Sequence, residues 1–310
     1  MSLEKIAVLK ALGSKIVRTR TEANYYDDDS HLEISLKIKE SLENAHILDQ
    51  YSNPGNPLAH YDETAEEILD QCDGKLDYIV IGGGTGGTLT GIARKLKEKV
   101  PSCLIIGVDP EGSLLARPES LNSKVGTYQV EGIGYDFTPR VLDHDVVDKW
   151  YKCKDNESLN MARRLISEEG FLCGGSSGSA MDCALQFAKE QGAEKMKGKR
   201  MVILLPDSIR NYLSKHVSPE WMVTHGFMSH DRAKELESQN LYKLPGWGDA
   251  LTIADLELKT LEPLRLGESK ARDALTIFKE VRVPVVRFIL QRSLWLRWMM
   301  RLRKKCLLVL

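Results

Sequence analysis

Residues 76–110 constrain the fold of this chain more than any other stretch. Residues 76–81, Leu76-Asp-Tyr-Ile-Val-Ile81, are a short and nearly continuous apolar run, the pattern of a strand covered on both faces. Five glycines fall within the next six positions, 82–87. Leu89, Ile92, Ala93 and Leu96 then recur at helical spacing, with Arg94, Lys95, Lys97 and Glu98 on the other side. Residues 104–108 are a second apolar run. Two strands that point the same way need a crossover, and a helix supplies it. The fold class is therefore α/β with a parallel sheet.

The glycine-rich turn, Gly82-Gly-Gly-Thr-Gly-Gly-Thr88, lies where the free N–H groups of a helix start face outward. Glycines let an anion approach that backbone closely. Three readings follow. One is a tight turn with no ligand. The second is a dinucleotide: Gly82, Gly84 and Gly87 satisfy G-x-G-x-x-G, and Asp109 ends the next strand where a ribose partner would sit. This would make the chain an NAD-dependent oxidoreductase. The third is a monophosphate, whose cup gains hydroxyl donors from Thr85 and Thr88. Against the dinucleotide, the turn lies well inside the domain, after an expected strand at 47–48.

The alternation of elements continues. A helix is expected at 3–12 and a strand at 15–19. Thr64 with Glu67 reads as a capping box for a helix ending near Cys72. Leu159, Ala162, Leu165 and Ile166 mark one amphipathic helix, and Ala180, Ala184, Leu185 and Ala188 another. Residues 201–205 read as a buried strand. The organisation expected is a remnant of a small N-terminal subdomain at 1–20, a cofactor-binding catalytic domain at 21–228 and a linker at 229–256. A different module follows at 257–286, then an unassigned basic tail at 287–310. The last thirty residues hold eight Lys or Arg and no acid.

A net charge of -1 over 310 residues argues against a nucleic-acid partner, which would need a basic face. No signal-peptide layout and no apolar run of membrane-spanning length occur, so neither a membrane partner nor export is expected. The six cysteines form no C-x-x-C pair and read as cytosolic thiols rather than a zinc site. No metal site is expected, and the location expected is cytoplasmic.

Several segments together resemble the cystathionine β-synthase family. They include Asn44-Ala-His-Ile-Leu-Asp-Gln-Tyr51, Asn56-Pro-Leu-Ala-His-Tyr61 and Gly84-Thr-Gly-Gly-Thr88. They also include Val130-Glu-Gly-Ile-Gly-Tyr-Asp-Phe137, Cys173-Gly-Gly-Ser176 and Leu205-Pro-Asp-Ser-Ile-Arg-Asn-Tyr212. The resemblance implies a fold-type-II pyridoxal-phosphate enzyme, a lyase similar in fold to the tryptophan synthase β-chain. Its members join L-serine and L-homocysteine into cystathionine, in transsulfuration and cysteine biosynthesis. On that basis Gly84, Thr85, Gly86, Gly87 and Thr88 are expected to hold the cofactor phosphate and Ser176 to meet its pyridine nitrogen. Tyr51, Gly132 and Tyr135 are expected at the substrate, with Asp207 and Ser208 behind them. The module at 257–286 resembles the start of the family's regulatory domain, and a homo-oligomer is expected.

The family also has pieces that these 310 residues do not match. Its Schiff-base lysine and its Ser/Thr-Gly-Asn-Thr loop, which grips the substrate carboxylate, have no counterpart here. No catalytic residue is therefore assigned, and an inactive chain is expected, as an incomplete enzyme or as a non-catalytic binding protein of the same fold. Some relatives bind haem through an N-terminal region that is likewise unmatched. Arg94 matches the arginine that contacts the haem thiolate there, and otherwise reads as a solvated side chain on a helix.

Overall fold

The computed structural model describes residues 1–240 apart from 21, 22, 24, 26, 123 and 124, and only the backbone of 238–240. The chain opens with two helices, α1 (Leu3–Ala11) and α2 (His31–Ser41), capped by Ser2 and Ser30. A continuous helical stretch then runs through α3 (Gly55–Ala59), a π-helical turn (His60–Thr64) and α4 (Ala65–Gln71). The α/β unit follows: β1 (Tyr78–Gly82), α5 (Gly87–Lys99), β2 (Leu104–Pro110), β3 (Lys149–Cys153), α6 (Asp155–Glu169), α7 (Gly175–Gln191), α8 (Ala193–Met196) and β4 (Met201–Ile203). Two helices close the described part, α9 (Pro219–Thr224) and α10 (His230–Asn240).

The four strands form one parallel sheet in the order β3-β2-β1-β4. Alternation along β1 sends Ile79 and Ile81 to one face and Val80 to the other, and both faces are covered. On the first, Ile79, Ile81 and Ile105 pack with Ile68 of α4 and with Leu89, Ile92 and Leu96 of α5. On the second, Val80, Ile106 and Val108 pack with Leu159 of α6 and with Ala180, Ala184 and Phe187 of α7. This three-layer arrangement explains the continuous apolar runs of β1 and β2. Two glycines fit the layers together. A Cβ on Gly107 would lie 2.7 Å from the Trp150 ring, and one on Gly178 would overlap the Ser158 carbonyl, so α6 and α7 approach closely only because that position is bare.

Several sequence expectations need correction. Residues 15–19 and 47–48 are not strands. No strand among the described residues lies beside them to share hydrogen bonds, and Leu48 is 83% exposed. Thr64 is no helix cap, because the helical stretch already begins at Gly55. Its backbone is helical and its hydroxyl lies 3.0 Å from Nδ1 of His60. Strand β3 was missed, since Lys149-Trp-Tyr-Lys-Cys153 carries a lysine at two of five positions. Residues 230–240 of the expected linker are helical. The remainder of the linker, the module at 257–286 and the tail at 287–310 lie outside the described residues.

A buried ion pair fastens the sheet edge. Asp109, fully buried at the end of β2, accepts from Lys152 Nζ at 2.8 Å and from the Ala116 backbone N–H at 3.0 Å. Lys152 also donates to the Ser113 carbonyl at 2.9 Å and to Asn122 Oδ1 at 3.2 Å, which ties the loop after β2 to β3. Removing one member of a buried pair costs far more than the pair contributes, because the other charge is stranded. Lys152→Met is therefore expected to destabilise the fold by roughly 3–5 kcal/mol. Lys152→Met with Asp109→Leu should cost clearly less, and urea midpoints of the two variants measure the difference.

Candidate functional site

The glycine-rich turn leaves β1 at its carboxyl end and enters α5 through Gly86, whose φ is +89°. A side chain there would be strained and would also meet Leu142, 2.5 Å from the position of its Cβ. A Cβ on Gly84 would lie 2.5 Å from the Gly132 carbonyl, and one on Gly87 would overlap Asn56 Oδ1. No side chain caps the N-terminus of α5. Its first N–H groups thus form a donor surface, and the helix dipole adds partial positive charge there.

Two hydroxyls on this turn are prepared from behind. Thr85 Oγ1 accepts from Asn56 Nδ2 at 3.0 Å, which leaves its own proton to donate elsewhere. Thr88 Oγ1 lies 3.0 Å from Nε2 of His60, whose Nδ1 meets Thr64 Oγ1 at 3.0 Å. Burial lowers the pKa of His60, which favours the neutral ring. Asn56 and His60 lie in a segment that carried the family resemblance, but they had no role in the sequence reading. Only the folded chain brings them beneath positions thirty residues away.

Gly132 and Tyr135 lie against the same turn. The Gly134 N–H donates to the Gly83 carbonyl at 2.7 Å, and Ile133 packs over Gly82. Tyr51 joins them through Val141, whose N–H donates to the Tyr51 carbonyl at 3.1 Å. The Tyr51 and Tyr135 rings meet edge to face at 5.4 Å, with Phe137 5.2 Å from Tyr51. Burial and the hydrogen bond with Tyr51 push the Tyr135 phenol well above its usual pKa, so it stays a neutral donor. His31 Nε2 lies 2.9 Å from the Tyr51 hydroxyl, a contact that no local sequence signal announces.

Ser176 is 3% exposed in the first turn of α7, which also has no side-chain cap. The Gly174 N–H donates to the Asp207 carbonyl at 3.0 Å, which joins this turn to the end of β4, the neighbour of β1. Both candidate regions therefore sit at the carboxyl ends of adjacent parallel strands, the usual place for ligands in such sheets. Ser208 pairs with Cys173 in an isolated bridge, and its hydroxyl accepts from the Arg210 N–H.

A polar network links the two regions. Glu131, next to Gly132, accepts from Lys5 at 2.7 Å and pairs with Lys215. Burial opposes its charge, but the two lysines outweigh burial and hold its carboxyl below the usual range. Lys5 also reaches the Tyr212 hydroxyl at 3.2 Å, and Tyr212 donates to Asp207 Oδ2 at 2.5 Å. Burial raises the Asp207 carboxyl, only partly offset by Tyr212.

The remaining candidates separate. Asp109 is enclosed by Lys152 and the backbone and cannot serve a ribose, which removes the geometric basis of the dinucleotide reading. Arg94 forms an ion pair with Asp143 at 2.7 Å and is 54% exposed, as a helix-surface arginine would be. Among the described residues no group of His, Cys, Asp and Glu is placed to hold a metal ion, and no helix is long and apolar enough to cross a membrane.

The model of the pyridoxal-phosphate dependent enzyme family matches residues 1–207. A cystathionine beta-synthase of Mus musculus is 60% identical over 291 residues, covering 92% of this chain and 49% of that protein. The one from Dictyostelium discoideum is 54% identical over 259 residues, covering 83% and 50%. The chain thus spans about half the length of the curated relatives it matches. A solved O-acetylserine dependent cystathionine beta-synthase from Helicobacter pylori is 34% identical with a TM-score of 0.61, over 69% of this chain and 66% of that one. A hydrogen sulfide-producing enzyme from Fusobacterium nucleatum is 33% identical with a TM-score of 0.63, over 69% of each chain.

His216 makes the second region sensitive to pH. The ring is 1% exposed beside the Cys173 backbone, and its Nε2 has no hydrogen-bond partner among the described residues. Burial, with Arg163 adding to it, lowers its pKa from 6.5 to about 4. The unfolded chain therefore takes up a proton before the folded one as pH falls. The stability tied to neutral His216 is complete above pH 6.5 and disappears between 6.5 and about 4. The loss is on the order of 3 kcal/mol. Asp207 works in the opposite sense, so a variant must isolate His216. His216→Gln is expected to lose less stability than the parent between neutral pH and the acid end of this window, as read by urea midpoints.

Proposed function

We propose that this chain, which belongs to the pyridoxal-phosphate dependent enzyme family, forms the phosphate cup and pyridine-side wall of a cystathionine β-synthase-type site. The observation that carries this reading is the cup itself. Three glycines leave space that side chains would fill with clashes, the α5 terminus is uncapped, and two threonine hydroxyls are backed by Asn56 and His60. These residues fit a phosphomonoester. The backbone N–H groups of 84–88 and the hydroxyls of Thr85 and Thr88 would hold the phosphate, and Ser176 would meet the pyridine nitrogen.

When bound, pyridoxal phosphate supplies an electron sink for breaking the Cα–H and Cβ–O bonds of L-serine. A hydroxyl such as Ser176 cannot hold the pyridine nitrogen protonated as a carboxylate would, which moderates that sink and favours loss of the β-hydroxyl. The thiol of L-homocysteine would form the new C–S bond, its proton leaving with the hydroxyl as water. Tyr51 and Tyr135 would wall the substrate space and exclude water, and the Gly132–Gly134 turn would shape its edge. The family's lysine and carboxylate-gripping loop have no match in the 310 residues, so on this reading these residues alone bind the cofactor without turnover.

Fluorescence titration of the purified chain with pyridoxal phosphate tests the reading. Thr85→Val should weaken binding roughly tenfold to a hundredfold, since hydrogen bonds to charged groups contribute about 1.5–3 kcal/mol. NAD should not compete. Preferential binding of NAD, or a Thr85→Val affinity equal to the parent's, would overturn it.

A further inference from the structure

A second concavity lies away from the cup. It is a groove of about 500 Å³ between the outer face of α6 and the segment running from Val217 into α10. That volume is in the range of small-molecule sites. Its walls include Ile166, Ile209 and Phe227, and among the described residues three arginines line it, Arg163, Arg164 and Arg232, against one acid, Glu168.

The arginines are not equivalent. Arg164 is bound by Glu168 through two nitrogens, at 2.9 and 3.0 Å, and Arg232 pairs with Glu235 at 2.5 Å. Arg163 is half-buried and has no carboxylate partner among the described residues. It donates Nη1 to the carbonyls of His216 and Val217, at 2.7 and 2.8 Å. Burial lowers its pKa, and the charge of Arg232 across the groove lowers it further. Arg163 therefore carries a charge that no carboxylate among the described residues balances, and Arg232, though paired with Glu235, adds a second positive charge to the same groove. An anion placed between them would relieve that repulsion, and the apolar walls would cover the rest of a ligand.

We propose that this groove is a binding site for a small carboxylate with an apolar body, the carboxylate lying between Arg163 and Arg232 and the body against Ile166, Ile209 and Phe227. A carboxylate suits the planar fork of a guanidinium, and an apolar body gains contact with Ile166, Ile209 and Phe227 that an inorganic anion cannot make. The site is independent of the pyridoxal-phosphate reading, because none of its residues belongs to the cup or to the pyridine-side turn.

The probe is 4-phenylbutyrate, titrated calorimetrically into the full chain without pyridoxal phosphate, with its neutral amide and inorganic phosphate as controls. Saturable binding in the millimolar range or tighter is expected for the carboxylate, weakening as salt is raised. The amide and phosphate should each bind roughly tenfold more weakly or not at all. Arg163 also supports backbone, so Arg163→Met is read alongside Arg232→Gln, whose side chain is 54% exposed and whose loss leaves the core intact. Arg232→Gln should weaken 4-phenylbutyrate severalfold with an unchanged urea midpoint. Absence of saturable binding, equal binding of the amide, or an Arg232→Gln affinity matching the parent's overturns the proposal. Phosphate binding as tightly as the carboxylate also overturns it, since it would show a general anion site.

Discussion

The close approach of two backbones at Gly84 and Gly132 is the constraint on which the site depends. A side chain on the glycine-rich turn would collide with the 132–134 turn, with Leu142 or with Asn56. Without side chains there, the three neighbours close around the start of α5 while its N–H groups stay uncovered. The same bareness lets Gly134 donate to Gly83 and brings Tyr135 to the turn. Five glycines in six residues lose much conformational freedom on folding, an entropic cost. The structure shows the use of four of them: Gly84, Gly86 and Gly87 at the cup, and Gly82 beneath Ile133.

Around that opening the protein places polar groups in two different ways. Beneath the cup they are neutral: an amide and an imidazole orient two hydroxyls, and no charge is buried. Across the site they are ionic. The network from Glu131 through Lys5 and Tyr212 to Asp207 ties the turn at Gly132 to the turn at Gly174. A neutral support leaves the donor surface free to meet an anion. An ionic tie holds loops from distant parts of the chain, because stranding any one member would be costly.

Three of the six buried side-chain atoms without a hydrogen-bond partner among the described residues lie close together. These three, Ser177 Oγ, Asp207 Oδ1 and His216 Nε2, all lie around the first turn of α7. The shifts follow burial: the His216 ring is held neutral and the Asp207 carboxyl is pushed up. Asp207 lies against Gly174 and His216 beside Gly175, the two residues before Ser176. The electrostatics of the proposed pyridine-side wall therefore belong to several elements and not to the serine alone.

Much of this was legible in the chain itself. Apolar runs flanking an amphipathic helix required a parallel α/β unit, because period and crossover geometry are local properties. The glycine cluster marked a bare turn at an uncapped helix start for the same reason. The elements that failed, the strands at 15–19 and 47–48, the cap at Thr64 and the missed β3, all depended on neighbours. A strand exists only beside another strand, and Lys149-Trp-Tyr-Lys-Cys153 becomes one by pairing with β2. Asp109 looked like a ribose ligand until folding enclosed it with Lys152. Asn56 and His60 under the cup, His31 on Tyr51, and Lys5 on Glu131 are contacts between residues 20 to 126 positions apart. Local sequence determined the repeating backbone and the donor-rich turn. Tertiary structure alone decided which side chains support that turn, because such contacts depend on where the chain returns in space.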